Sequence, residues 1–332
     1  MTYDPDHLRE RRKDSRQSSS KRTRFTAAAA LLLALLGVGI VFAVNGQSET
    51  TPKSVSSSGS APASTASDRT NSNGTPSGSS SAPAWTKPLS TPAQEAAAVA
   101  RLAKFGKPIY CAGGHSGRYV ALTFDDGPGA YTHFAMKKLK KWHARATFFV
   151  IGERLRDPTW KSWAQKETYL AATGNHSWTH PYLPGEDLAS VRRQIADTTS
   201  MAQSVTGNTV SVFRPPYGAR NDSIDAITAQ LGLAEIIWDV DSEDSQGANY
   251  AGIARNVIAG LKPGAIILMH ENRGQTIRAL PYILPQLKKK HLTAVTVPEL
   301  LALDPPSDAQ IKAGPNGCGA LRGHGGPVKS PA

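Results

Sequence analysis

The chain has 332 residues, a formal net charge of +12, 39% hydrophobic residues and two cysteines. That length holds one large domain or two small ones, and the composition excludes a wholly disordered chain, a collagen, a coiled coil, a polytopic membrane protein, a disulfide-dense mini-domain and a thiolate zinc finger. Residues 1–24, 25–106 and 107–321 carry net charges of +4, +2 and +4, a spread that argues against a nucleic-acid domain, whose charge gathers on one face.

Residues 1–24 are polar and basic and read as a cytoplasmic tail. Phe25 to Val44 then runs for 20 residues without a charge, long enough for one helix across a bilayer. With Arg and Lys ahead of it, this segment reads as a transmembrane signal-anchor, placing the rest of the chain outside the cytoplasm. The rival reading is a signal peptide cleaved near Val41-Phe42-Ala43 and a secreted protein. Residues 45–106, rich in Ser, Thr, Pro and Gly, lack the aliphatic content that offsets ordering entropy and read as a flexible linker. Within them an Ala-rich stretch, Gln94 to Lys104, has the pattern of a short helix.

From residue 107 to 321 short apolar runs alternate with helical patterns. Strands are predicted at Tyr119–Phe124, Ala146–Ile151, Tyr169–Ala172, Val210–Arg214, Ala234–Val240, Ala265–Met269 and Leu292–Val297. Helices are predicted at Phe134–His143, Trp160–Gln165, Leu188–Val205, Ile224–Leu231, Tyr250–Leu261, Ile277–Lys290 and Pro298–Leu303. Apolar strands with helical crossovers specify a parallel sheet covered by helices. Seven or eight such units fit an irregular (β/α) barrel, with an open doubly wound sheet as the alternative. The run Lys137, Lys138, Lys140 and Lys141 reads as a solvated helix face. Residues 322–332 read as a disordered tail.

Chemistry in parallel α/β folds collects where strands end. Asp125-Asp126-Gly-Pro follows the first strand, and His176 and His180 follow the third. Arg214 and Tyr217 follow the fourth, Trp238 to Asp244 close the fifth, and His270 ends the sixth. Taken singly, these are a turn, a weak His pair, a core histidine and an ion-paired arginine. Together, two imidazoles and one carboxylate leave positions open on a divalent metal. A second carboxylate supplies a base, another His an acid, and an Arg keeps the base ionised. Those parts make a metal-assisted hydrolase of amide or ester bonds.

The same residues resemble the polysaccharide deacetylases of the NodB-homology group, carbohydrate esterase family 4, over roughly residues 115–305. Thr123-Phe124-Asp125-Asp126-Gly127-Pro128 matches the first motif intact, a string expected by chance on the order of 10⁻⁵ times in such a chain. His176-Ser177-Trp178-Thr179-His180, Arg214-Pro215-Pro216-Tyr217, Trp238 to Ser245 and Leu268-Met269-His270 are similar to the other four. The resemblance implies an irregular barrel of about seven parallel strands. It implies Asp126, His176 and His180 as holders of one divalent metal, most often zinc, with cobalt, manganese or nickel as alternatives. It implies Asp125 as general base, Arg214 as its support, and the Tyr217 backbone N–H as oxyanion donor. His270 would be the proton donor, tuned by Asp244, with Asp241 a weaker candidate for that task. Ser245 departs from the aromatic residue usual after the motif's Asp, leaving Trp238 or another aromatic to wall the acetyl pocket.

Cys111 precedes the first strand and Cys318 follows the last helix, so in a barrel they are neighbours and are expected to pair in an oxidising compartment. The expected substrate is an extracellular polysaccharide, with peptidoglycan favoured by the anchor, the linker and the mildly basic domain. Chitin oligosaccharides, acetylated xylan, and a catalytically silent glycan-binding role for the same fold are the alternatives. The sequence carries no sign of the oligomeric state.

Overall fold

The computed structural model describes Trp85 and residues 87–319. The basic tail, the apolar segment 25–44, most of the linker and the tail 322–332 lie outside the described residues. Among those described, no helix is long and apolar enough to cross a membrane.

In chain order, helix α1 (Pro92–Phe105) precedes β1 (Tyr119–Gly127), α2 (Thr132–Lys141), β2 (Ala146–Val150), α3 (Pro158–Glu167) and β3 (Ala171–Asn175). There follow α4 (Leu188–Thr206), β4 (Val212–Phe213), α5 (Asp222–Gln230), β5 (Ala234–Glu235), β6 (Val240–Asp241) and α6 (Tyr250–Gly260). The chain continues through β7 (Ile266–His270), α7 (Gly274–Lys289), β8 (Thr293–Val295), α8 (Val297–Leu303) and α9 (Asp308–Ala313). The sheet runs β5-β4-β3-β2-β1-β7-β6, with β8 beside the start of β1, and every pair is parallel. Seven strands thus form a half-barrel, as the repeated strand–helix alternation requires.

The β1 side chains alternate between two cores, as a strand's period of two dictates. Val120, Leu122 and Phe124 pack under the helices with Leu139, Ile253 and Leu280. Ala121 faces the other way, into a cluster with Phe149, Val212, Ile266 and Leu268.

Three expectations need correction. The run Ala234–Val240 is not one strand. The Ile237 N–H donates to the carbonyl of Ile109 (2.8 Å), and the Ile236 and Ile237 carbonyls accept from Arg214 (3.2 and 3.0 Å). The Ile236 N–H donates to the Phe213 carbonyl of β4 (2.8 Å) and the Asp239 N–H to the Ile266 carbonyl of β7 (3.2 Å), so the chain leaves one edge of the sheet and joins the other between them. Those two strands end the sheet order on opposite sides, yet only Ile236–Asp239 separates them in the chain. The third strand begins at Ala171 rather than Tyr169. It reads AATGN, without the apolar run that marks a strand, because Phe149 occupies the space a side chain at Gly174 would take.

The third correction concerns the linker, whose last residues are ordered. Helix α1 starts on a capping box, in which Thr91 and Gln94 satisfy each other's backbone N–H groups, and it stops at Gly106 in the left-handed region. Its buried Val99 and Leu102 join the cluster that includes Leu300 and Leu301 of α8. A disulfide joins Cys111 to Cys318, 207 residues apart, and Lys262 donates to the Cys318 carbonyl (2.7 Å). Because Leu102 is fully enclosed, Leu102→Ala is expected to lower the unfolding free energy by about 2–4 kcal/mol in a denaturant titration. A helix lying free of the domain would show no change.

Candidate active site

The ends of five strands converge on a cavity of about 450 Å³, with Asp125, Asp126, His176, His180 and His270 in its wall. Tyr217, Trp238 and Asp241 also line it. Parallel register explains part of this convergence: β1 and β7 pair residue for residue, so Asp125 stands opposite His270.

Asp125 is buried, and its Oδ1 accepts from Arg214 Nη1 at 2.7 Å. Arg214 is wholly enclosed. The same Nη1 donates to Thr123 Oγ1 (2.7 Å), while Nε and Nη2 donate to the Ile236 and Ile237 carbonyls. Its guanidinium lies 4.2 Å from the Phe149 ring centre and 5.7 Å from that of Trp238. Thr123 passes a hydrogen bond onward to the Ile267 carbonyl (2.6 Å). Asp125 therefore has one oxygen committed to a buried cation, and its other oxygen, Oδ2, lies 3.7 Å from His176 Nε2.

Asp126 Oδ1 lies 3.6 Å from His176 Nε2 and 3.2 Å from His180 Nε2. His176 Nδ1 is engaged by the Arg214 carbonyl (2.7 Å), which turns Nε2 toward the carboxylates. Asp126, His180 and Tyr217 all have positive φ, at 66°, 60° and 62°. Such conformations are costly for non-glycine residues and gather at functional sites. Burial opposes ionisation of Asp126, but the charges of His176, His270 and His180 outweigh it and hold the carboxyl below its usual range. Burial and the charge of His176 push His180 down to about 4, against Asp126 and Asp125.

On the opposite wall, His270 Nδ1 meets Asp244 Oδ1 at 2.6 Å, and the His270 N–H donates to Asp244 Oδ2 (2.8 Å). Thr276 also donates to Oδ2. Burial disfavours the His270 cation, but the Asp244 hydrogen bond and charge, aided by Asp125 and Asp126, more than offset this and raise it to about 9. Asp241 accepts from the Glu243 N–H (2.7 Å); the carboxylate on His270 is that of Asp244. Tyr217 packs edge-on against His180, ring centres 4.6 Å apart. Trp238 and Ser245 both line the cavity, with Trp238 nearly buried.

Sequence reasoning stopped at His270 and missed the next two residues. Asn272 Nδ2 donates to Asp126 Oδ2 (3.2 Å). Glu271 is fully enclosed; its backbone N–H donates to the Asp125 carbonyl (3.2 Å), and its side chain accepts from Thr132. Its carboxyl occupies the space of a side chain at Gly127, so only glycine fits there. Burial, with the charges of Asp126 and Asp125, pushes Glu271 up to about 8, against Thr132 and Arg154. The available signal was a Glu-Asn pair at a strand's carboxyl end.

One atom tests whether a cation fits. Asp126 Oδ1 is buried without a hydrogen-bond partner, and one ligand atom from each of Asp126, His176 and His180 lies within 4.8 Å of the others. Two imidazole nitrogens and a carboxylate oxygen around an unsatisfied lone pair suit a divalent metal with open positions.

Residues 112–236 match the family model described as polysaccharide deacetylase. The chain is 36% identical over 183 residues to a peptidoglycan-N-acetylglucosamine deacetylase of Listeria monocytogenes, covering 54% of this chain and 38% of that protein. Against a peptidoglycan-N-acetylglucosamine deacetylase of Bacillus cereus it is 34% identical over 191 residues, covering 55% of this chain and 88% of the relative. A family 4 carbohydrate esterase from Streptomyces lividans, solved with acetate, superposes with a TM-score of 0.51 at 34% identity, over 54% of this chain and 92% of that one. The chain thus spans well under half the length of the Listeria relative.

Removing Arg214 strands a buried carboxylate. Arg214→Met is expected to destabilise the fold by about 3–5 kcal/mol in chemical denaturation, because it leaves Asp125 buried without its counter-charge. A loss below about 1 kcal/mol would contradict the arrangement.

Proposed function

The chain belongs to the polysaccharide deacetylase family, and from this we propose that it is a metal-dependent hydrolase that removes acetyl groups from N-acetyl sugars of peptidoglycan. The observation that carries the reading is the placement of two carboxylate–cation systems across one cavity, Asp125 with Arg214 and Asp244 with His270. Asp126, His176 and His180 would hold the metal, and their donor set favours zinc. When bound, it would supply a Lewis acid for the acetyl carbonyl and make water more acidic.

The protein's own groups do the rest. Asp125, held through Oδ1 by Arg214, takes a proton from the attacking water through its second oxygen. As water adds to the acetamide carbon, the carbonyl oxygen gains charge and accepts from the Tyr217 N–H. His270 has Nδ1 tied to Asp244, so Nε2 carries the proton given to the departing amine. The C–N bond breaks, and acetate and a free amino sugar leave. Trp238, beside Ser245, supplies an apolar wall for the acetyl group.

The catalytic domain is proposed to work outside the cytoplasm, held by residues 25–44. The stretch 45–84 would span about 35 Å at flexible-chain dimensions, enough to enter a wall layer from the membrane. That placement rests on composition alone. Peptidoglycan is favoured over chitin oligosaccharides and acetylated xylan because the Listeria and Bacillus cereus relatives bear peptidoglycan activities in their names.

Two outcomes are expected. Purified protein should release acetate from peptidoglycan with added Zn²⁺ and lose that activity to a chelator. Asp125→Asn, with its metal content unchanged, should lose about 10²–10⁴-fold in kcat; undiminished turnover by this variant would reject the assigned base. For the acid, the sign follows from the raised His270. The active, protonated form is complete below its folded pKa and is lost as pH rises through about 9. The alkaline limb of the kcat profile should therefore fall near that pH, and in Asp244→Asn it should move down by about a unit or more. An alkaline limb that stays in place in the variant would exclude His270 as the acid.

A further inference from the structure

A second concavity lies beside the catalytic cavity. It is a groove of about 540 Å³ between α2 and the start of α7, lined in part by Tyr131, Phe134, Lys138, Gly274 and Arg278. Arg273 lines the catalytic cavity and its neighbour Gly274 lines the groove, so the two concavities share one wall. The Tyr131 ring closes over Gly274, where a side-chain carbon would meet it at 3.3 Å.

The lining is unusual for a protein surface. Tyr131 and Phe134 are 39% and 46% exposed, and solvent-facing rings beside an active site suit the apolar faces of sugars. Lys138 and Arg278 belong to the same wall, and Arg278 sits over the Tyr250 ring at 4.7 Å. Neither cation has a carboxylate partner among the described residues, and no acidic residue lines the groove. Lys137, Lys140 and Lys141 add positive charge to the same helix. Of the lysine run that the sequence presents as a solvated face, Lys138 thus lines a groove next to the catalytic cavity.

We propose that this groove is a subsite for the carboxylate-bearing part of a glycan strand, with Tyr131 and Phe134 under its sugar rings and Lys138 and Arg278 on its carboxylates. The proposal rests on the peptidoglycan reading and deepens it. In peptidoglycan, alternate sugars carry a lactyl carboxylate or a peptide, whereas chitin oligomers offer no such charge. The site would therefore favour the acidic polymer without any contact to the acetyl group being cleaved.

The test compares metal-loaded wild-type protein with the Lys138→Glu/Arg278→Glu variant. Two probes of equal length are used: a tetrasaccharide alternating N-acetylglucosamine with N-acetylmuramic acid, and a tetramer of N-acetylglucosamine. Binding is read by calorimetry at two salt concentrations, and acetate release is read separately. Exposed ion pairs are individually weak, so reversing two charges is expected to weaken binding of the acidic probe about tenfold and remove its salt dependence. Affinity for the neutral probe should change by less than about twofold. Phe134→Ala should weaken both. An acidic-probe affinity that ignores the charge reversal, or equal losses for both probes, would overturn the subsite. Charge-sensitive binding without acetate release from either probe would support the subsite while removing the deacetylase reading. Release from the acidic probe with charge-insensitive binding would do the reverse.

Discussion

The Arg214 guanidinium is the interaction on which the rest of the site depends. It is a charge in a place without water, and such a group is tolerated only when its donors are met and an opposite charge is close. Here they are met by Asp125, Thr123 and the carbonyls of Ile236 and Ile237. These partners come from β1 and from the segment between β5 and β6. Satisfying one cation thus ties the first strand of the barrel to the segment that joins both ends of the sheet order. It also orients the carboxylate that faces the cavity.

Around that centre the cavity is organised as two charged systems with different protonation. On the Asp125 side the second carboxylate oxygen lies against His176, while burial and the charge of His176 disfavour a charged His180. The Asp244 side favours an imidazolium, because a buried carboxylate bonds both the ring and the backbone of His270. In the proposed reaction one wall would accept a proton and the other would give one, a separation of tasks that amide hydrolysis needs. Glu271, directly after His270, packs beneath the Asp125-Asp126-Gly127 turn and links the two walls through the backbone.

Motif residues were legible because chemistry restricts them. An intact Thr-Phe-Asp-Asp-Gly-Pro string stands out from the surrounding chain, whereas the His-x-x-x-His pair is weak alone and gains weight from it; the structure brings both to one cavity. The strands with strong apolar runs, β1, β2 and β7, were legible for the same reason: hydrophobic burial on both faces leaves a continuous signature. Strand β3 was legible only in part, at Tyr169–Ala172, because its neighbour Phe149 supplies the bulk and the rest of β3 carries small residues. The division of Ala234–Val240 into two strands was not legible. Its apolar side chains report burial, whereas at the break the Ile237 N–H donates to Ile109 and the Ile236 and Ile237 carbonyls accept from Arg214, both outside the run. The Ala-rich pattern of Gln94 to Lys104 marked helix α1, but not its docking, because the apolar stripe of Val99 and Leu102 acquires meaning only against α8.

By itself the sequence determined the alternation of strand and helix, the cysteines available for pairing, and the identity of the chemical groups. These follow from residue type and short-range spacing. The pairings of Asp125 with Arg214 and of Asp244 with His270, implied by the motifs, are realised by the tertiary structure, which alone decided that Glu271 props the chain at Gly127 and that a basic and aromatic groove adjoins the cavity. Those outcomes depend on register between strands and on burial, and both are set by packing between segments far apart in the chain.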